Sequence, residues 1–176
     1  VLVVGLGRTG EALCRFLLRR GARVRVTEKK PWEALGRGAA LLRERGVEFE
    51  TGGHKPETFL SSDLVVLSPG VPPLSEASAA AEKGIPVISE IELAYAFLKG
   101  RIVGITGSNG KSTTTTLAHR ILEDSGIRAF AAGNIGTPLI SFAARSREDD
   151  IYVSEISSFQ LDAVRDFKVR VSAFLN

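Results

Sequence analysis

The sequence predicts an α/β protein made of two parallel-sheet units in series that meet near residue 100. Three observations predict it. Short β-branched runs alternate with helix-period segments along the chain, the rhythm of a parallel sheet with crossover helices. Glycines 5, 7 and 10 sit between the first apolar run and the first helical pattern, and Gly107 and Gly110 sit between a later pair of the same kind.

Residues 1–4 form an apolar run of strand length. Residues 11–20 read as a helix, because Ala12, Leu13, Phe16 and Leu17 make one apolar stripe while Arg15, Arg19 and Arg20 face away from it. Gly21 supplies a C-terminal stop. Strand, helix and strand follow at residues 23–27, 32–45 and 47–50. The buried strand at residues 64–67 runs into Ser68-Pro69-Gly70-Val71-Pro72-Pro73, which can continue neither sheet nor helix and so reads as a loop with a ligand-facing surface. An Ala-rich helix at residues 75–83, a short strand at 86–88 and a helix at 90–98 complete the first unit, residues 1–99. Residues 99–101, Lys-Gly-Arg, read as the junction and a hinge. The second unit, residues 100–176, carries a strand at 102–106, a helix at 111–124, strands near 128–131 and at 151–154, and a last strand from residue 169.

Composition removes several classes of protein. The 176 residues are 44% hydrophobic, too apolar for intrinsic disorder. A single cysteine excludes a disulfide framework and structural zinc, and fits a reducing cytoplasm. A net charge of +3 with no basic run predicts no nucleic-acid partner. The apolar runs are far shorter than the roughly 20 residues of a membrane helix, so no membrane partner is expected either. The chain opens and closes inside strand-like runs and has no initiator Met, which leads us to expect part of a longer polypeptide.

Gly5-Leu6-Gly7-Arg8-Thr9-Gly10 satisfies G-x-G-x-x-G after a strand and before a helix, the setting of a Rossmann-like nucleotide fold. Glu28 ends the second strand ~20 residues on, where an acidic side chain accepts from a ribose or base. Lys29 and Lys30 follow it as candidate cations for a diphosphate. By itself this pattern suits NAD, another nucleotide or a plain tight turn. Thr106-Gly107-Ser108-Asn109-Gly110-Lys111-Ser112-Thr113 is a phosphate-binding loop, with Ile105 standing where the usual Walker pattern has its first glycine. Residues Gly107, Ser108, Asn109, Gly110, Lys111, Ser112 and Thr113 are the expected ATP site, Lys111 reaching β/γ oxygens and Ser112 ligating Mg²⁺. Glu155, at the end of the strand at 151–154, is the matching metal carboxylate. Asn134, in Gly133-Asn134-Ile135-Gly136, offers a donor and an acceptor to a substrate or a metal-bound water. The second unit thus reads as the first part of a P-loop ATPase α/β domain. A dehydrogenase or nucleotide sensor explains only the first loop, and a kinase or regulatory NTPase only the second.

The order GLGRTG at Gly5, SPG at Ser68, TGSNGKST at Thr106, GNIG at Gly133 and SEISSFQL at Ser154 resembles the Mur ligases of peptidoglycan synthesis. The run from Ser157 to Leu161 most resembles the branch that joins D-glutamate to UDP-N-acetylmuramoyl-L-alanine. The resemblance implies an ATP-dependent, ADP-forming amide ligase with ATP and Mg²⁺ as cofactors, cytoplasmic and monomeric, working through an acyl phosphate. It implies that Gly7, Arg8, Thr9, Glu28, Lys29, Lys30, Ser68, Pro69 and Gly70 surround uridine and diphosphate. Asn134, Ser157 and Gln160 then lie toward the muramoyl-alanine end, and Lys111, Asn134 and Glu155 carry the catalysis. Such ligases more often carry Asp-Thr-Arg where this chain has Glu28-Lys29-Lys30, which keeps acid before base. Their downstream histidine, carbamylated lysine and third domain fall outside these residues, so this stretch alone is expected to give no turnover. His54, His119 and Cys14 are expected in surface or packing roles.

Overall fold

A computed structural model describes residues 1–176 and shows two compact units, Val1–Glu90 and Ile91–Asn176, each built on an all-parallel sheet. The first unit runs β1 (Leu2–Val4), α1 (Arg8–Arg19), β2 (Arg25–Glu28), α2 (Arg37–Glu44), β3 (Glu48–Thr51), α3 (Pro56–Leu60), β4 (Val65–Leu67), α4 (Ser75–Glu82) and β5 (Val87–Ser89). Its strand order is β3-β2-β1-β4-β5. Leu2 pairs with Arg25 on one side and Val65 on the other, so β1 is central, and its Leu2, Val3 and Val4 are fully buried, as a strand covered on both faces requires. The order reverses between β1 and β4. That reversal opens a crevice at the carboxyl ends of these two strands, where the first glycine loop and the Ser68-Pro69-Gly70 loop emerge.

Helix α1 buries Leu13, Cys14, Phe16 and Leu17, with Glu11 in its first turn and Arg19 in its last, both favourable to the helix dipole. Burial pushes the Cys14 thiol up to about 12, which suits the expected inert packing role. The helix begins three residues before the expected start at residue 11, because Gly7 is extended (φ −82°) and acts as N-cap, so the glycine motif itself enters the first turn. The segment expected as one helix over 32–45 is instead a 3₁₀ turn at Trp32–Ala34 followed by α2, since Leu35 and Gly36 are extended between them. Helix α3 has no counterpart in the sequence reading. Pro56 starts it, and its Phe59, fully buried, joins Leu2, Val4, Val65, Ala77 and Ala80 in one core cluster.

The second unit holds α5 (Glu90–Tyr95, from Ile91 on), β6 (Arg101–Gly107), α6 (Lys111–Asp124), β7 (Ala129–Gly133), a 3₁₀ turn (Leu139–Phe142), β8 (Ile151–Glu155), α7 (Ser158–Leu161) and β9 (Val171–Leu175). Its strand order is β7-β8-β6-β9. Phe130, Phe142 and Tyr152 pack as a trio with centroids 5.1–5.7 Å apart. Asp150, 1% exposed, receives Arg128 Nε at 2.7 Å, the Arg147 amide at 2.8 Å and the Tyr152 hydroxyl at 2.9 Å. Burial opposes its charge, but these donors hold its carboxyl below the ordinary range. Residues 99–101 are fastened into this unit: the Lys99 and Gly100 amides donate to Ser146 Oγ at 2.8 and 3.3 Å, and the Arg101 amide donates to the Asp150 carbonyl. No helix is long and apolar enough to cross a membrane.

Glu92 on α5 ties the approach to β9. Its carboxylate accepts the consecutive amides of Arg165 (2.9 Å), Asp166 (3.0 Å) and Phe167 (3.0 Å). Burial favours its neutral form, yet the three amides together outweigh burial and hold the carboxyl below its usual value. A depressed folded-state pKa adds stability above the unfolded value, and that stability is lost as pH falls through the folded value. Glu92→Gln is therefore expected to cost roughly 1.5–3 kcal/mol in urea unfolding at pH 7. The gap to wild type should narrow below pH of about 4.3; a gap independent of pH would show that the charge is not what holds residues 165–167.

Candidate functional site

In the second unit β6 ends at Gly107 (φ +132°), where a Cβ would overlap the Leu175 backbone of β9. The Ser108 amide donates to the Leu175 carbonyl at 3.0 Å, so β9 supports the loop from below. Gly110 (φ +77°) is the N-cap of α6, a left-handed turn that glycine adopts without strain. Lys111 Nζ donates to the carbonyls of Gly107 (2.7 Å) and Ser108 (3.1 Å), which places the ammonium on the loop that bears it.

Register brings the carboxylate to this loop. Strands β6 and β8 are adjacent and pair Ile105 with Glu155, two residues before Gly107. The Glu155 residue is 2% exposed; its Oε2 accepts Ser112 Oγ at 2.6 Å and its Oε1 accepts Asn134 Nδ2 at 2.9 Å. The Asn134 amide also donates to the Glu155 carbonyl at 2.9 Å. Gly133 (φ +92°) makes this wrap possible, since a Cβ there would reach Ser154 Oγ at 2.6 Å and overlap the Glu155 carbonyl. Three residues singled out from separate motifs thus meet through one carboxylate. A hydroxyl and a carboxylate 2.6 Å apart are hard oxygen donors, and Mg²⁺ takes one or two such protein groups and completes its shell with phosphates and water, so the donor set fits it. No cluster of three His, Cys, Asp or Glu side chains competes as an all-protein metal cage.

Ser157 and Gln160 form the capping box of α7: the Gln160 amide donates to Ser157 Oγ (3.3 Å), and Gln160 Oε1 accepts the Ser157 amide (3.0 Å). Gln160 Nε2 is buried without a partner. His119 packs its Nε2 3.2 Å from the Ala129 carbonyl, the structural role expected of it.

In the first unit a cleft of about 210 Å³ lies at the β1/β4 crevice, lined by residues 5–7, Glu28, His54 and residues 68–72. Gly5 (φ +84°) turns the chain, and Gly10 packs onto the Gly5 carbonyl so closely that a Cβ would overlap it. Ser68 Oγ donates to that same carbonyl at 2.9 Å. Glu28 is used locally: its Oε2 accepts the Leu6 amide at 2.7 Å and its Oε1 the Lys30 amide at 3.0 Å, so the acid staples the glycine loop to the end of β2. Gly7, Glu28, Ser68, Pro69 and Gly70 share this lining; Arg8, Thr9, Lys29 and Lys30 stand outside it, Arg8 and both lysines exposed. His54 is the lining residue that sequence reasoning set aside, its one signal being the Gly52-Gly53 turn at the end of β3. A larger depression of about 530 Å³ lies at the opposite strand ends near Val1, Arg23 and Asp63, remote from this unit's glycine loop. Ligands of such sheets bind at the carboxyl ends, which favours the smaller cleft.

Residues 1–89 match the family described as Mur ligase MurD-like, N-terminal domain, and residues 105–176 match the Mur ligase middle domain. The UDP-N-acetylmuramoylalanine–D-glutamate ligase of Desulfosudis oleivorans is 49% identical over 177 residues, and that of Koribacter versatilis 48%. Each alignment covers 100% of this chain and 39% of the relative, so the chain spans about two fifths of the length of these curated relatives. Among solved structures, the UDP-N-acetylmuramate:L-alanyl-gamma-D-glutamyl-meso-diaminopimelate ligase from Neisseria meningitides shares the fold, with a TM-score of 0.55 at 17% identity over 97% of this chain and 58% of that one.

The glycine geometry makes a paired prediction. Gly10→Ala should destabilise the protein by roughly 2 kcal/mol or more, because the Cβ meets backbone that cannot step aside. Gly7→Ala, with open space and a negative φ, should stay within about 0.5 kcal/mol of wild type. Denaturant unfolding of both variants checks this, and equal losses would mean that the Gly5–Gly10 contact does not hold the loop.

Proposed function

The chain belongs to the Mur ligase family, and from that premise we propose that it is the nucleotide-handling part of a ligase of the UDP-N-acetylmuramoylalanine–D-glutamate (MurD) type. Such an enzyme joins D-glutamate to UDP-N-acetylmuramoyl-L-alanine at the expense of ATP in peptidoglycan synthesis. The observation that carries the proposal is the meeting of Ser112, Asn134 and Glu155 through one carboxylate, beside the phosphate-type loop that bears Lys111.

The amides from Gly107 to Thr113 and the N-terminus of α6 cradle the ATP phosphates, and Lys111 exchanges its hold on two loop carbonyls for the β/γ oxygens. Ser112 and Glu155 would hold Mg²⁺, which when bound neutralises charge on the transferring phosphoryl group. Asn134 keeps Glu155 Oε1 engaged and so leaves Oε2 on the Ser112 side. An oxygen of the substrate carboxylate takes the γ-phosphoryl group and ADP leaves. The amine of D-glutamate then attacks the acyl carbon, phosphate departs with the C–O bond, and the amine gives up a proton as the amide forms. Positioning supplies most of the acceleration.

In the first unit Gly7, Arg8, Thr9, Glu28, Lys29, Lys30, Ser68, Pro69 and Gly70 take the uridine diphosphate end. Asn134, Ser157 and Gln160 take the acyl end, where the partnerless Nε2 of Gln160 is a free donor. In this proposal the protein works as a monomer in the cytoplasm on small molecules alone.

Calorimetric titration with UDP-N-acetylmuramoyl-L-alanine beside NAD tests the first cleft: saturable binding of the UDP compound alone is expected, and binding of NAD alone would overturn the assignment. Lys111→Ala in the full-length enzyme should lower ATP-dependent amide formation by at least about 10³-fold while UDP-substrate affinity stays within about threefold. Parallel loss of both would mean that the two sites are not separate.

A further inference from the structure

We propose that His54 is a diphosphate-binding residue of the first unit's cleft and that substrate binding there takes up a proton onto its Nε2. The proposal rests on the reading of that cleft as a uridine-diphosphate site.

The hydrogen bonds fix the imidazole's tautomer. His54 Nδ1 lies 2.8 Å from Thr27 Oγ1. The Thr27 hydroxyl has a single hydrogen, and it has two acceptors in reach, Glu50 Oε1 at 3.0 Å and the Gly53 carbonyl at 3.3 Å. Neither of these can donate. Burial opposes the charge on Glu50, but the Thr58 hydroxyl, the Lys55 amide and the Thr27 hydroxyl hold its carboxyl low and ionised. Thr27 therefore spends its hydrogen on these acceptors and takes one from His54 through a lone pair. The proton of a neutral His54 sits on Nδ1, and Nε2, which has no protein partner, carries a bare lone pair. The ring is held on a second side by Phe59, edge-on with centroids 6.3 Å apart.

A preset imidazole beside a glycine loop points to an anion. The cleft combines the backbone of residues 5–7 with the first turn of the twelve-residue α1, where amides and dipole favour negative charge. Glu28, the carboxylate in this lining, has both oxygens engaged by the Leu6 and Lys30 amides. A lone pair on Nε2 would repel a phosphate oxygen. One added proton turns Nε2 into a charged donor and leaves the bond from Nδ1 to Thr27 intact. The other charges on these elements are Arg25 and Glu28 on β2 with Lys29 and Lys30 after it, Glu48 on β3, Lys55 next in the chain, Glu57 on α3, and Arg8, Glu11, Arg15 and Arg19 on α1; residues 68–72 carry none.

The test is calorimetric titration of the full chain with UDP-N-acetylmuramoyl-L-alanine, whose doubly esterified diphosphate does not titrate between pH 6 and 8, in buffers of differing ionisation enthalpy. Wild type should bind on the order of tenfold more tightly at pH 6 than at pH 8, with net proton uptake. His54→Asn keeps an N–H for Thr27 but has nothing at the Nε2 position. It should bind on the order of tenfold more weakly than wild type at pH 6, with no pH slope and no uptake. The wild-type measurement stands even if the variant folds poorly, and the variant separates His54 from His119, the other histidine of the chain. Three results would each overturn the proposal: a pH-independent wild-type affinity, a slope that survives in His54→Asn, or tightening as pH rises, which is what a neutral Nε2 accepting from uracil N3–H gives. Absence of any saturable wild-type binding would overturn the uridine-diphosphate reading of the cleft itself, and the His54 role with it.

Discussion

The second site depends on one constraint, the parallel register of β6 with β8. Pairing from Arg101 with Ile151 to Ile105 with Glu155 decides that a glutamate ends its strand beside a phosphate loop. Side chains alternate faces along a strand, so a slip of one residue would turn Glu155 away from Ser112 and leave a carboxylate without its donors. The register is itself secured at the other end of the same strands. There the Arg101 amide bonds to the Asp150 carbonyl, and Asp150 gathers Arg128, the Arg147 amide and Tyr152. Packing at the base of the sheet thereby sets chemistry at its top.

Carboxylates serve as backbone fasteners at three further points. Glu28 binds the Leu6 and Lys30 amides, Glu50 binds the Lys55 amide with two threonine hydroxyls, and Glu92 binds three consecutive amides. Each gathers amides of an irregular segment that has no sheet or helix partner for them, and hydrogen bonds to a charged group are worth about 1.5–3 kcal/mol. These are the segments that hold the glycine loop, the His54 turn and the approach to β9. At Glu50 and Glu92 the donors outweigh burial and hold the carboxyls below the ordinary range, so the stability of the segments they fasten is linked to pH.

The alternation of elements and both glycine loops were legible because each has a local cause: β-branched runs for strands, a 3.6-residue stripe for α1, glycines where backbone must come close. The meeting of Ser112 with Glu155 was legible from motif context even though 43 residues separate them. What escaped was non-local. The break at Leu35-Gly36 looked continuous because the apolar residues on both sides keep helical spacing, and α3 is too short to show a period at all. It exists because Phe59 completes a core assembled from β1, β4 and α4. Spacing assigned Glu28 to a ribose or base; its partners in the structure are the Leu6 and Lys30 amides, brought up by the folding of the loop it staples. His54 was set aside because nothing next to it in sequence reveals Thr27, its partner across two strands.

The two glycine loops follow the same backbone logic but differ in what stands ready beside them. At the second, the groups that would meet ATP are already gathered: Ser112 and Glu155 lie 2.6 Å apart, Asn134 restrains the other carboxylate oxygen, and Lys111 rests on its own loop. On the proposed reading, binding of ATP there would exchange existing hydrogen bonds for new ones and order few side chains, which would limit its entropic cost. At the first, Lys29 and Lys30 are exposed side chains, while the imidazole of His54 is already held by Thr27 and Phe59. A rigid donor loses less freedom per contact than a flexible lysine does. On the proposed reading of the first cleft, the ordered ring, more than the exposed lysines, would set how firmly an anion is held there.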